Sequence, residues 1–159
     1  MYYEDFISEN HIRALKLIIP IFEQHNITYR ITGGLAGNLY GSQWPLHDID
    51  IEVAQKDIER VKELFHEYIA IDLMRIVDDE FDLLMMTLVI YGVDIEINQA
   101  EDAFIYHDDT PIKLDDDLYI FNTFFFEGLK LRVQQLQKII EYKELLGRKN
   151  DVADLRKLL

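Results

Sequence analysis

Apolar residues recur along the chain with two periods, one typical of helices and one typical of strands. Residues 8–25 carry apolar side chains at helical spacing, and Ser8 stands where an N-cap is favoured. Pro20 lies inside this pattern, so we expect the helix to kink or to end early there. The same reasoning predicts helices at residues 35–40, 55–68, 133–146 and 151–159, and strands at residues 27–31, 48–53, 93–98, 118–126 and 129–133.

Two of the predicted strands alternate strictly between acidic or polar side chains and aliphatic ones. The strand with the sequence DIDIEV carries Asp48 and Asp50 on one face, and the strand VDIEIN carries Asp94 and Glu96 on one face. Carboxylates two residues apart on a strand point the same way, roughly 6–7 Å apart. The aliphatic residues between them would fill the core and hold the acids on the opposite face of the sheet.

The remaining segments complete the predicted fold. Residues 69–98 predict two or three strands with a turn at Tyr91-Gly92, and the acid-rich residues 99–117 predict a long surface loop. No repeat or linker divides the chain, so we predict one α/β (α+β) domain over residues 1–159, a small mixed sheet flanked by helices on one side. Its C-terminal helices would occupy about residues 133–159.

Composition and charge narrow the function. The 159 residues include 30 acidic and 16 basic ones, a net charge of −14, and no cysteine, which excludes disulfides, thiolate zinc sites and cysteine nucleophiles. The basic residues are scattered, so no duplex nucleic acid is expected as a partner. No secretory signal or membrane-spanning run is present, which predicts a cytoplasmic protein. A cationic small molecule, or a nucleotide held through a divalent metal, suits such acidity better.

The acidic strands and a pair of glycines suggest the two halves of one site. Carboxylates are the ligands that Mg²⁺ prefers, so Asp48, Asp50 and a third acid from the second strand would form a clamp for one or two ions. The Gly33-Gly34 turn lets the backbone approach a phosphate, and the helix that follows offers free N–H groups. Each feature alone is common in proteins without such a site; their order and spacing favour a nucleotide site.

These residues carry a resemblance to a known superfamily. TGGLAGNLYGSQWPLHDIDIEV, residues 32–53, resembles the Gly-Gly helix and Asp-x-Asp strand of nucleotidyltransferases with the DNA polymerase β-like fold. YGVDIEIN resembles their third acidic strand, and KELLGRKNDVADLRKLL resembles the C-terminal helices of their minimal single-domain bacterial members. The chain also resembles, more distantly, aminoglycoside and lincosamide nucleotidyltransferases and small antitoxins that modify toxins.

The resemblance implies transfer of a nucleoside monophosphate from an NTP, expected to be ATP, to a hydroxyl of a small molecule or protein. Asp48 and Asp50 would bind Mg²⁺, with Mn²⁺ as a substitute, in two-metal carboxylate catalysis. The third acid would bind the second ion or act as general base. Glu96 is favoured, because it follows Gly92 by four residues as in minimal members, and Asp94 is the alternative.

The resemblance also implies that Gly33, Gly34 and Ser42 meet the triphosphate, but the chain departs from the family in cations. Residues 43–47 offer no Lys or Arg where many relatives have a basic or hydroxyl residue. Arg148 and Lys149 either fold back toward the nucleotide or cap a helix in solvent. The alternative function is therefore a catalytically weak or inactive nucleotide- or metal-binding module that acts through a protein partner, as an antitoxin does, or through a homo-oligomer.

Overall fold

The computed structural model describes residues 3–159, and its regular elements are five helices and nine strands, besides two single turns of 3₁₀ helix. The helices are α1 (Glu9–Gln24), α2 (Gly33–Tyr40), α3 (Gln55–Leu64), α4 (Leu136–Leu145) and α5 (Lys149–Arg156). The strands are β1 (Tyr29–Thr32), β2 (Ile49–Val53), β3 (Ile69–Val77), β4 (Phe81–Ile90), β5 (Val93–Gln99), β6 (Phe104–His107), β7 (Thr110–Lys113), β8 (Asn122–Phe126) and β9 (Leu129–Val133).

All nine strands belong to one mixed sheet. Its order is β7-β6-β4-β5-β2-β1-β9-β8, and β3 pairs with β4 outside this path. The pairs β2–β5 and β1–β9 are parallel, and the other pairs are antiparallel. The two strictly alternating strands therefore lie side by side at the centre of the sheet, where neither can slip by one residue without exposing its aliphatic face.

One face of the central strands forms the core. Ile31, Ile51 and Ile97 on this face are fully buried. Helix α1 covers it, since the ring of Phe22 lies 5.3 Å from that of Tyr29 on the same face of β1. The acidic side chains of β2 and β5 must then point to the opposite face, because successive side chains on a strand alternate.

Helix α4 crosses the opposite, acidic face. Near its start, the hydroxyl of Tyr40 in α2 donates to the carbonyl of Gln134 at 2.8 Å. Near its end, the ring of Tyr142 stacks on that of Phe81 in β4, with centroids 6.3 Å apart. Since α2 continues from β1, and β2 and β5 lie between β1 and β4, the middle of α4 passes over the two acidic strands.

The structure confirms the predicted mixed α/β class and corrects several details. Helix α1 continues four residues beyond Pro20, so it does not end early. Residues 99–117 are not one loop, because β6 and β7 form a hairpin within them. The sheet is therefore larger than predicted, and helices lie on both of its faces. No helix of the described chain is long and apolar enough to cross a membrane.

Candidate active site

Asp50 and Glu96 form the centre of the acidic face. The parallel register of β2 and β5 pairs these two residues directly. Burial, a hydrogen bond to Glu96, and the charges of Glu96 and Asp48 together raise the pKa of Asp50 to about 8, while Lys143 acts in the opposite direction. The two carboxyl groups lie close together, and a bound cation would relieve their repulsion.

Asp48 precedes Asp50 by two residues, and Asp94 precedes Glu96 by two residues, so both lie near the start of these strands. Ile49 pairs with Ile95, so the residues that precede them on these parallel strands are neighbours, and both are exposed. They line an open cavity of about 380 Å³ together with Tyr91 and residues at the start of α1. The four acids therefore divide into a semi-buried pair, Asp50 and Glu96, and an exposed pair that faces the cavity.

Gly33 lies directly against the Asp50 carboxylate. A Cβ added to Gly33 would stand 2.2 Å from the Asp50 Oδ2 atom, closer than any real contact, and Gly33 has a φ of +62°. A Cβ at Gly34 would meet only the Cδ1 atom of Leu46, at 3.3 Å. Gly33 therefore satisfies both a left-handed backbone conformation and a close approach to a carboxylate, for which no other residue is suited.

The segment that leads into β2 is fixed by His11 of α1. The Nδ1 atom of His11 accepts from the Ser8 backbone N–H at 3.2 Å, so the proton of the neutral ring resides on Nε2. Nε2 then donates to the carbonyl of His47 at 2.6 Å. This bond fixes the chain immediately before Asp48. The Ser8 cap predicted from the sequence is present, as part of a capping box with His11.

Ser42 is buried, and its hydroxyl is used within the protein. It donates to the Oδ2 atom of Asp154 in α5 at 3.0 Å, and the indole Nε1 of Trp44 donates to the same oxygen at 3.0 Å. Asp154 thus joins α5 to the segment between α2 and β2. A contact between Ser42 and a triphosphate stays a prediction, and so do the roles of Asp48, Asp50, Asp94, Glu96, Gly33 and Gly34.

Three residues near the acidic face were not identified from the sequence. Lys143 and Tyr142 of α4 both interact electrostatically with Asp50. The sequence gives no signal for them, because more than ninety positions separate each of them from Asp50 along the chain. Arg30 did offer a signal, since a lone arginine in the apolar strand ITYRIT needs a buried acidic partner.

Arg148 and Lys149, for which the sequence left open a position near the nucleotide or a helix cap in solvent, lie at the start of α5. Arg148 is the N-cap residue of α5, and its guanidinium lies 3.5 Å from the Glu80 carboxylate. Lys149 begins α5 and is exposed. Neither position supplies a built phosphate site, which leaves Lys143 as the cation whose charge acts on Asp50.

The donor atoms of the acidic face fit a hard divalent cation. Asp48, Asp50 and Glu96 offer only carboxylate oxygens, and burial, together with the hydrogen bond to Glu96 and the charges of Glu96 and Asp48, raises the pKa of Asp50. Within residues 3–159, no three His, Asp or Glu side chains already converge closely enough to hold an ion. An ion bound there would have to draw the carboxylates together.

Comparison with known proteins relates the chain to nucleotide-transferring enzymes. A family model described as aminoglycoside-2''-adenylyltransferase matches residues 14–120. No match to the sequence was found among curated proteins. The family match includes β1, α2, β2 and β5, and hence both glycines and all four acids.

Solved structures show the same fold at low sequence identity. A putative nucleotidyltransferase from Thermotoga maritima superposes with a TM-score of 0.78 at 23% identity, covering 99% of this chain and 97% of that one. The lincosamide antibiotic adenylyltransferase LnuA, solved with lincomycin, gives 0.64 at 17%, covering 97% and 99%. ANT(2'')-Ia with adenylyl-2''-tobramycin gives 0.55 at 13%, covering 91% and 86%.

Proposed function

The chain belongs to the aminoglycoside-2''-adenylyltransferase family, and on this premise we propose that it transfers AMP from ATP to a hydroxyl group of a small molecule. The observation that carries the proposal is the pairing of Asp50 with Glu96 beside Gly33. The pairing supplies carboxylate oxygens for a divalent ion, and Gly33 lets the start of α2, with its free backbone N–H groups, approach the Asp50 carboxylate closely. The family supports this type of transfer, and the pairing of Asp50 with Glu96 supports its location at the acidic face.

Three carboxylates would hold the metal. Asp48, Asp50 and Glu96 are the proposed ligands of Mg²⁺ or Mn²⁺. When bound, the ion would supply positive charge to the phosphate oxygens in the transition state. The same charge would lower the pKa of Asp50, because an adjacent cation favours the ionised carboxylate. Gly33 and Gly34 would meet the triphosphate through backbone N–H groups at the start of α2.

The reaction requires an acceptor hydroxyl and a base. The hydroxyl oxygen bonds to the α-phosphorus of ATP, the bond from that phosphorus to the bridging β-phosphate oxygen breaks, and pyrophosphate leaves with the electron pair. A carboxylate must receive the hydroxyl proton. We assign this role to Asp94, because it is exposed and lines the 380 Å³ cavity. Glu96 is half-buried beside Asp50, which suits the ion better.

The cavity favours an acceptor that carries positive charge. Asp48 and Asp94 line it, and the protein as a whole has a net charge of −14. A protonated amine close to the hydroxyl would be attracted by this field. Two related structures contain acceptors or products of this general kind, lincomycin in LnuA and adenylyl-2''-tobramycin in ANT(2'')-Ia. We therefore propose an amine-bearing hydroxyl compound.

The test is a transfer assay with ATP and the other NTPs, in Mg²⁺ or Mn²⁺, against tobramycin and lincomycin as probe acceptors. The expected result is ion-dependent release of pyrophosphate and an acceptor heavier by one adenylyl group. Asp50→Asn should abolish both products. Asp109→Asn, in the turn between β6 and β7, should retain them and serves as the matched control.

Binding without turnover would give a different conclusion. If ATP binds with Mg²⁺ but no NTP yields pyrophosphate with either probe or with an amine-bearing metabolite extract, the enzymatic proposal is wrong. The nucleotide- or metal-binding module that acts through a protein partner would then be the better interpretation. If neither nucleotide nor metal binds, both the enzymatic proposal and the binding-module interpretation are wrong.

A further inference from the structure

We infer that Lys143 of α4 binds the β- and γ-phosphates of ATP, the part of the substrate that leaves as pyrophosphate. The inference rests on the proposed function, since it assigns a residue to the same nucleotide site. It also answers the shortage of cations along the Gly-Gly and Asp-x-Asp segments of the sequence. The cation is supplied instead by a helix that crosses the acidic face from the far end of the chain.

The course of α4 brings Lys143 over the acidic strands. The helix starts beside α2, through the bond from Tyr40 to the Gln134 carbonyl, and ends near β6, where the His107 Nδ1 atom donates to the Leu145 carbonyl at 3.0 Å. The neighbouring residue, Tyr142, contacts Phe81 of β4. Lys143 therefore belongs to the half of α4 that lies over β5 and β4, and its charge acts on the carboxylate of Asp50.

The ammonium group of Lys143 has one hydrogen-bond acceptor in the described chain but three N–H donors. Its side chain is only 17% exposed, and its Nζ atom lies 3.3 Å from the Asp151 Oδ2 atom of α5. An ammonium has three N–H donors, and within the described chain only this acceptor engages one of them. A largely buried ammonium with one carboxylate partner in the described chain favours an additional anion, because its other N–H donors are costly to leave without an acceptor.

A phosphate of ATP is well suited to be that anion. Gly33 approaches Asp50 so closely that a triphosphate at the Gly-Gly segment must lie next to this carboxylate. A metal held by Asp50 would add its charge on one side of the triphosphate. Lys143 would contact it from the α4 side, and so neutralise the charge that pyrophosphate carries away.

Other cations close to the sheet are committed elsewhere. Arg30 is fully buried, and its N–H groups donate to Glu52, Asp115 and loop carbonyls. Arg132 lies over the ring of Tyr29, on the other side of β1 from β2. Of these three cations, Lys143 is the one whose charge acts on Asp50 and whose ammonium has a single acceptor within the described chain.

Asp151 acts as a positioning residue for this lysine. Its carboxylate lies 3.3 Å from the Lys143 ammonium and fixes the direction of that group. The two residues lie on consecutive helices, so the pair also ties α5 to α4. Loss of Asp151 should loosen the ammonium without removing its charge.

The experiment compares the affinities for ATP and AMP, both with Mg²⁺, by calorimetric titration. Lys143→Met keeps most of the aliphatic side chain and removes the charge. We expect it to weaken ATP binding about tenfold or more, the size of a charge-assisted hydrogen bond, while AMP binding changes little. Lys143→Arg should restore part of the preference for ATP, and Asp151→Asn should give an intermediate loss.

Lys138→Met is the matched control, since Lys138 lies on the same helix but is 41% exposed and pairs with Glu141. It should leave both affinities unchanged. If Lys143→Met weakens ATP and AMP equally, or leaves the ratio of their affinities as in the wild type, Lys143 has only a structural role and the inference is wrong. If the wild-type protein binds no ATP at all, the proposed function itself fails.

Discussion

Asp50 and Glu52 lie two residues apart on β2, point to the same face of the sheet, and are both largely removed from solvent, yet their surroundings are opposite. Glu52 accepts two hydrogen bonds from the guanidinium of Arg30, at 3.0 and 2.8 Å. Asp50 faces Glu96, another acid. Glu52 is paired with a cation at hydrogen-bond distance, whereas Asp50 faces a second acid, and the charge of Lys143 offsets only part of the effect of burial and of that acid.

This difference separates structure from function within a single strand. Burial raises the pKa of Glu52, and the charge and hydrogen bonds of Arg30 counteract that effect. Burial also raises the pKa of Asp50, but there the neighbouring Glu96 increases the effect. A buried acid with an internal cation stabilises a fold. A buried acid beside another acid costs stability, which a protein tolerates where a ligand later compensates it.

The largest expected effect comes from removing the internal cation. Arg30→Met should destabilise the protein by about 3–5 kcal/mol, because Glu52 would be left buried and unpaired. Arg30 also donates to Asp115 and to the carbonyls of Asp117 and Ile120, so residues 115–120 should loosen as well. Urea denaturation followed by circular dichroism measures the loss.

A double variant tests whether the pair is responsible. Arg30→Met with Glu52→Leu removes both charges, and we expect it to recover part of the lost stability, since an apolar pair of similar volume often replaces a buried ion pair without cost. If the double variant is no more stable than Arg30→Met alone, the contacts of Arg30 to residues 115–120 account for the loss. The claim that the Arg30–Glu52 pair stabilises the fold would then be wrong.

Gly33→Ala should cause the next largest loss of stability, through its effect on Asp50. The new Cβ would collide with the Asp50 carboxylate, and the positive φ adds about 1 kcal/mol of strain. We expect a loss of roughly 2–3 kcal/mol in total and no measurable transfer activity. Gly34→Ala is the matched control, because its Cβ meets only a flexible leucine methyl group; it should be milder on both measures.

The pH dependence of stability should distinguish the two acids. The pKa of Asp50 in the folded protein is about 8, above its value in the unfolded chain. Folding therefore takes up a proton, so this contribution to stability is complete below about pH 4 and is lost as the pH rises to about 8. The pKa of Glu52 is also raised, so Glu52 changes the stability with pH in the same direction. The difference in stability between the wild type and Asp50→Asn at each pH therefore measures the contribution of Asp50 alone.

A bound divalent metal should remove the pH dependence of stability that is caused by Asp50. With saturating Mg²⁺ or Mn²⁺, the wild-type melting temperature should rise most above about pH 8, where Asp50 is ionised and the repulsion is greatest, and Asp50→Asn should show a much smaller rise. Calorimetric melting between pH 5 and 9 provides the measurement. An equal rise in both proteins would mean that the ion binds elsewhere, and the proposed metal site would be wrong.

The sequence predicted the parts of this comparison that local patterns encode. Strict alternation in β2 and β5 identified the acidic face, and the two glycines identified the turn beside it. It could not predict that Arg30 pairs with Glu52, or that Lys143 reaches Asp50, because neither contact follows from neighbouring positions. The hairpin of β6 and β7 was missed because its Asp108-Asp109 turn resembles an acidic loop when the flanking strands are only four residues long.

The smallest expected effect concerns Ser42, which resembles Glu52 in having an internal partner. If Ser42, like Glu52, has a structural role, Ser42→Ala should lower the free energy of unfolding by about 1 kcal/mol, because the hydrogen bond to Asp154 is lost. The affinity for ATP should stay unchanged. Trp44→Phe removes the other bond to the same oxygen and should match it. Denaturation and ATP titration of both variants decide the point. An ATP affinity that falls severalfold in Ser42→Ala but not in Trp44→Phe would mean that this hydroxyl serves the triphosphate, and that an internal partner does not by itself mark a residue as structural.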